Sequence, residues 1–181
     1  MIEIKSKEIK QILVYFLFNQ QKKVYSSEIA NLLDLDVSNT GKALNKIVKE
    51  GILKKEKRGG HWFYCLNKDY PMFSEVKKII LFKYGLDVLL KKKLKKLKGI
   101  EEAYIYGSYA KGGLEAESDI DILLIGNHSV SEALGIFLKL QKYFGREFNS
   151  FDMDREEFEK KIKNKDDFLR DIFNNEHIRI L

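Results

Sequence analysis

Cysteine and proline each occur once in these 181 residues, and the three histidines stand far apart. A lone thiol, Cys65, forms no internal disulfide. No CxxC or Cys/His cluster exists either, which excludes a disulfide framework and a structural zinc site. The compartment to expect is therefore a reducing one, the cytoplasm. His61, His128 and His177 read as single surface or turn residues, because a transition-metal site needs several such donors together. No stretch of about 18 apolar residues occurs, so no membrane-spanning helix is expected. The apolar run from Ile12 to Phe18 is too short for a span. It follows Glu3 and Glu8, precedes Asn19-Gln20-Gln21-Lys22-Lys23, and lacks a small-residue cleavage pattern, so it reads as part of the fold. Low-complexity sequence is absent as well. With 44% hydrophobic and 12% aromatic residues the chain has material for packed cores, and its length accommodates two small domains.

What is abundant is lysine, and it is unevenly placed. Residues 1–98 carry a net charge of +12 and residues 99–181 carry −6, which together make the overall +6. A basic half is suited to phosphate backbones, and an acidic half with clustered aspartates is suited to metal ions.

Residues 5–20 predict a helix with Ile9, Ile12, Leu13 and Phe16 on one face. Val14, Leu17 and Phe18 widen that face almost all the way round. So much apolar surface predicts two partners, the module's own core and a second subunit, hence a homodimer. Ser26-Ser27-Glu28 predicts a serine-capped helix to Leu33, and Ser38 a cap for a further helix over Asn39–Glu50. The second of these buries Ala43, Leu44, Ile47 and Val48 and turns Asn39, Lys42, Asn45, Lys46 and Lys49 outward. Gly51 ends it. Strands at Ile52–Arg58 and His61–Leu66, joined at Gly59-Gly60, complete a hairpin.

Two helices across a short turn followed by a hairpin resemble the winged helix-turn-helix domains of the ArsR and MarR repressor families. The resemblance covers roughly residues 5–68. It implies a DNA-binding domain over residues 1–70 and a role in transcription regulation. Asn39, Lys42, Asn45 and Lys46 would face base edges or phosphates, with Lys57 and Arg58 at the wing tip. Pro71 then opens a helical connector, 71–98, broken near Gly85. Its apolar stripe of Leu86, Leu89, Leu90, Leu94 and Leu97 predicts packing on the second domain, with Lys91, Lys92, Lys93, Lys95, Lys96 and Lys98 on the outer face.

The second domain, residues 99–181, begins with a strand at Glu102–Tyr106 that runs into Gly107-Ser108 and a helix starting near Tyr109. Glycine lets backbone approach a phosphate closely, and amides at a helix start together with the Ser108 hydroxyl are donors to its oxygens. Lys111 adds a positive charge. Ser118 leads into a strand, Asp119–Ile125, on which Asp119 and Asp121 share one face. Two carboxylates side by side repel unless a cation lies between them. Magnesium is a hard ion that takes carboxylate and phosphate oxygens together, and it fits that role.

Gly107-Ser108, about ten residues, then Asp119-Ile120-Asp121 is similar to the signature of the DNA polymerase beta nucleotidyltransferase superfamily, and the short chain resembles its minimal members. Lys111 stands where arginine is frequent in that superfamily, which keeps the charge and loses the bidentate grip. The resemblance implies an α+β two-domain protein whose C-terminal part is a small mixed-sheet α/β nucleotidyltransferase domain. In it Gly107, Ser108, Lys111 and Ser118 would bind nucleotide, while Asp119 and Asp121 would be the catalytic and metal-binding pair. Mg2+ or Mn2+ and a nucleoside triphosphate, ATP first among them, would be the cofactors. Helices at Val130–Phe144, Asp154–Lys163 and Asp166–Asn174, a strand at Arg146–Met153 and a closing strand near His177–Leu181 agree with that layout.

One position departs from the pattern. The third carboxylate expected on the strand after the long helix falls at Asn149, whose amide offers no basicity. Glu147 shares its face by alternation and is a substitute candidate, and Asp152 and Asp154 lie near the strand's end. Three readings follow. The protein is an adenylyltransferase acting on a protein or RNA acceptor, as in toxin-antitoxin systems that use minimal nucleotidyltransferases; or a catalytically impaired, nucleotide-sensing DNA-binding regulator; or a pair of interaction surfaces in a larger assembly.

Overall fold

The computed structural model describes residues 6–112 and 118–181; residues 113–117, within the glycine-serine and aspartate motif, lie outside the described residues. The chain divides into two compact units, Met1–Leu86 with Lys142–Gly145, and Asp87–Gln141 with Arg146–Leu181. The boundary at 86/87 divides the expected 71–98 connector between them.

In the first unit, helix α1 (Lys7–Phe18) starts at Ser6, whose Oγ accepts from the Ile9 amide at 3.2 Å. Strand β1 (Val24–Tyr25), helix α2 (Ser26–Leu33), helix α3 (Val37–Lys49), strands β2 (Leu53–Arg58) and β3 (His61–Leu66) and helix α4 (Phe73–Tyr84) follow. The strands form an antiparallel sheet in the order β1-β3-β2. Gly59 and Gly60 both take positive φ, 53° and 86°, which the two-residue hairpin turn requires and which glycine adopts without steric cost. Helix α1 packs against α2, α3, α4 and β3, and every residue from Ile12 to Phe18 is buried. Phe18 lies against Phe144 with ring centroids 4.5 Å apart, and the Asn19 amide donates to Tyr15 O and Phe144 O. The wide apolar face is thus covered within the chain, and the inference of a second subunit from that face no longer holds.

Two caps differ from the expected serines. Tyr25 precedes α2, whose Glu28 carboxylate accepts from the Tyr25 amide at 3.4 Å. Helix α3 is capped by Asp36, whose Oδ1 accepts from the Asn39 amide at 2.8 Å. A carboxylate serves an N-terminus as well as a hydroxyl and also suits the helix dipole, so the local pattern allowed either start.

In the second unit, helix α5 (Leu86–Leu94) is followed by strand β4 (Ile100–Tyr106), helix α6 (Gly107–Gly112) and strand β5 (Ile120–Gly126). Helix α7 (Val130–Phe144), strand β6 (Phe148–Met153), helices α8 (Arg155–Lys163) and α9 (Asp167–Asn174) and strand β7 (Ile178–Arg179) complete the chain. The sheet is mixed, ordered β6-β5-β4-β7. Strand β4 is antiparallel to both neighbours, and β5 and β6 are parallel. Alternation divides its two faces. Ile120, Ile122, Leu124 and Phe148 point one way, where Phe137 of α7 stacks on Phe148. Tyr104, Leu123, Ile125 and Met153 point the other way into a core with Leu169 and Ile172 of α9. Among the described residues no helix is long and apolar enough to cross a membrane.

Candidate active site

Backbone register builds the site. Asp121 pairs with Tyr106 on β4 and with Asn149 on β6, so three neighbouring strands bring these side chains to one edge of the same face. Asp119 lies two residues before Asp121, outside the strand's first ladder pair, and projects to the same side. The Asn149 amide nitrogen donates to Asp119 Oδ2 and Asp121 Oδ1, both at 3.3 Å. Oxygen donors from two carboxylates thus converge on one point, which an amide N–H fills here. Carboxylate oxygens of this kind fit a hard divalent cation, and a half-turn of the Asn149 amide would add its own oxygen.

Gly107 backs the pair. Its φ is 75°, and a Cβ built on it would lie 2.4 Å from Asp121 Oδ2, so a side chain here would collide with the carboxylate as well as strain the backbone. Helix α6 starts at Gly107 itself, two residues earlier than expected. Ser108 and Lys111 are exposed on it. Ser118 is half-buried. Its carbonyl accepts from Arg146 Nη1 at 2.8 Å, and its Oγ is enclosed without a hydrogen-bond partner among the described residues.

Of the suggested substitutes for a third carboxylate, Asp152 and Asp154 are engaged elsewhere, and Glu147 lies opposite Asp119 just ahead of β6. Glu147 precedes β6 and contributes its backbone carbonyl to the Ile120 amide, 2.8 Å away, while its side chain is exposed. Asp152 is bound to the His128 ring nitrogen at 2.8 Å and to Ser150 Oγ at 2.9 Å. Asp154 caps α8 through the Glu157 amide. His128, expected at the surface, has a side chain only 1% exposed, because its aspartate partner offsets the cost of burying the ring.

Residues 89–179 match the family described as "Nucleotidyltransferase domain". The chain belongs to this nucleotidyltransferase family. The matched range holds both aspartates, Asn149, Gly107 and all four strands of the mixed sheet. The nucleotidyltransferase chain is also 36% identical, over 63 residues, to a Methanocaldococcus jannaschii protein named "Putative protein adenylyltransferase". That stretch covers 35% of this chain and 63% of the relative, so the chain spans less than two thirds of the relative's length.

The nucleotidyltransferase unit also has features the sequence did not flag. Arg146 is 8% exposed and ties the approach to Asp119 by its bond to the Ser118 carbonyl. Tyr106, Phe168 and Phe151 form an aromatic wall on the carboxylate face, with centroids 5.8 and 4.8 Å apart along the row. Burial and the nearby Asp121 charge both raise the Tyr106 hydroxyl pKa. Register was the missing signal, since Tyr106 gains its place only by pairing with Asp121.

In the first unit, Asn39, Lys42, Asn45 and Lys46 on α3 and Lys57 and Arg58 on the hairpin are all exposed. Asn45 Oδ1 accepts from Lys55 Nζ at 3.4 Å, and Lys55 sits 4.8 Å above the Trp62 ring. Arg58 is paired with Glu56 at 2.8 Å, so its charge is partly satisfied. Lys55 and Trp62 went unnoticed in the sequence because cross-strand pairing, not local pattern, brings them beside α3.

Proposed function

We propose that this protein is a metal-dependent nucleotidyltransferase that moves AMP from ATP onto a hydroxyl of a protein or RNA acceptor, with a DNA-binding winged helix formed by its first unit. The observation that carries the reading is the convergence of Asp119, Asp121 and Asn149 at one point beside Gly107. The adenylyltransferase name of the archaeal relative supports the choice of nucleotide.

In this reading Asp119 and Asp121 hold Mg2+, or Mn2+ in its place, which when bound screens charge developing on the triphosphate. Gly107, Ser108, Lys111 and Ser118 hold the phosphates. The acceptor oxygen bonds to the α-phosphorus, the bond from that phosphorus to the β-phosphate bridge breaks, and pyrophosphate leaves. Asn149 has no basicity, so the hydroxyl proton passes to solvent. The aromatic wall excludes water from one side. In the first unit α3 presents Asn39, Lys42, Asn45 and Lys46 to a DNA duplex, and Lys57 and Arg58 reach its backbone.

One observation favours a second reading. An amide stands where a third carboxylate would be expected, and lost general-base assistance alone costs about 10²–10⁴ in rate. The protein would then be a nucleotide-sensing DNA-binding regulator. Transfer of label from α-labelled ATP in a lysate of the source cells, with Mg2+ or Mn2+, separates the two. Label on a protein or RNA with the native chain and none with Asp119→Asn supports the enzyme. Metal-dependent ATP binding without labelling supports the regulator.

A further inference from the structure

The lysine face of α5 borders a groove. Asp87, Val88, Lys91 and Lys92 of α5 and Lys95 just past its end line one side, with Val88, Lys91, Lys92 and Lys95 at the i, i+3, i+4, i+7 spacing of a helical stripe, and Ile178 and Arg179 of β7 with the following Ile180 line the other. The groove holds about 460 Å³, within the range of ligand sites. Lys91, Lys92 and Lys95 are exposed, and no ion pair engages them among the described residues. Lys91 and Lys95 stand four residues apart, about 6 Å along the axis, and like charges at that spacing repel. Arg179 is partly committed, with its Nε donating to Leu181 O at 2.8 Å and its Nη2 3.7 Å from Glu102.

We infer that this groove is a binding surface for the sugar-phosphate backbone of single-stranded RNA. Three ammonium groups that have no ion pair among the described residues complement a polyanion and not a peptide of mixed charge. The lining has no aromatic ring on which a base would stack, so recognition is of backbone and is independent of sequence. The floor residue Ile180 is 3% exposed, and of the apolar lining Val88 alone protrudes, at 37%, which is too little to anchor in a bilayer. Asp87 selects between nucleic acids. A carboxylate repels phosphate but accepts from a ribose 2′-hydroxyl, which DNA lacks. The assignment extends beyond the transfer reading and stands without it, since binding is measured without ATP or metal.

The test is fluorescence anisotropy of the full chain with a labelled 20-nucleotide single-stranded RNA of mixed sequence, titrated at several salt concentrations. The same DNA sequence and anionic phospholipid vesicles run alongside. The native chain should prefer RNA, and Lys91→Ala/Lys92→Ala/Lys95→Ala should lower the slope of log affinity against log salt by about 2, near 0.7 per lost single-strand phosphate contact. The triple arginine variant should retain binding, and Asp87→Asn should narrow the preference for RNA over DNA. The same lysine variants, exposed in the fold, should not lower the melting temperature. An unaltered slope in the alanine variant, equal affinity of the native chain for RNA and DNA, or vesicle binding that the same variant abolishes would each overturn the assignment.

Discussion

The carboxylate corner of the second unit and the basic face of the first are built in opposite ways. Asp119, Asp121 and Asn149 are fixed by the register of adjacent strands, with Gly107 packed behind them, so one atom more or less at Gly107 is felt directly. On α3 and the β2-β3 hairpin Asn39, Lys42, Asn45, Lys46, Lys57 and Arg58 are exposed. Around them Lys55 bonds Asn45 and lies over the Trp62 ring, and Glu56 pairs with both Arg58 and Lys23. Rigid convergence suits chemistry, which needs donors placed to a fraction of an ångström. A dispersed charge suits a phosphate backbone, where summed attraction matters more than any single contact. Changes in the first region should therefore act as all-or-none steps, and changes in the second as gradual losses.

The largest effect expected is from Asp121→Asn, which removes one anionic ligand while keeping the shape. Losing several kcal/mol of transition-state stabilisation should lower labelled-AMP transfer by about 10²–10³-fold. DNA affinity should not change, and a loss of both together would end the separation of roles. Asn149→Asp should move the other way. A third carboxylate strengthens the cation site and supplies a base, so transfer should rise by about 10-fold or more. Mn2+ affinity, measured by titration calorimetry, should rise with it. Unchanged metal affinity would show that this position does not face the ion.

Gly107→Ala combines a positive φ with a collision at Asp121, and a destabilisation of about 1–3 kcal/mol is expected in urea unfolding. Because the collision is with a carboxylate of the pair, metal affinity should fall along with stability. Lys42→Ala/Lys46→Ala should weaken DNA binding uniformly across sequences and reduce its salt slope by about 2, with transfer to a protein acceptor untouched.

The smallest effect concerns the Arg155 cluster. Arg155 bonds Glu101 Oε2 at 2.7 Å and Glu102 Oε1 at 2.6 Å. Burial pushes the Glu102 carboxyl up, but hydrogen bonds from Tyr104 and Arg155, and the charges of Arg155 and Arg179, outweigh it and hold the pKa below the usual carboxylate value. A lowered carboxylate pKa stabilises the fold above the unfolded-state value near 4.5 and loses that contribution as pH falls through the folded value. Arg155→Ala should therefore cost about 0.5 kcal/mol at pH 7, discounted for solvent screening, and nearly nothing at pH 3. Melting curves at the two pH values check this. Tyr104, in the same cluster, has its hydroxyl pushed up to about 12 by burial and by its bond to Glu102, so it stays protonated across that range.

Alternation made the shared face of Asp119 and Asp121 readable from spacing, because side chains on a strand repeat every two residues. Asn149 was readable as their neighbour only through the resemblance, which implies a third site position on the strand after the long helix, and Gly107 was readable as a special glycine from its place between strand and helix. The helix and hairpin positions in the first seventy residues followed from periodicity to within a few residues, although Asp36 and not Ser38 starts α3. Local pattern could not say that α1 is enclosed by α2, α3, α4 and β3, since an apolar face looks the same whether its cover comes from the same chain or from another. Nor could it say that Asp152 is taken by His128, that Arg146 steadies the Ser118 carbonyl, or that the lysines of α5 look across a groove at β7. These are meetings of residues far apart in the chain. The sequence by itself determined the elements, their order and the chemistry within single strands and turns, because those depend on neighbours a few residues away. Which carboxylates remain free and which lysines share a cavity was decided by the tertiary structure alone, through strand register and packing.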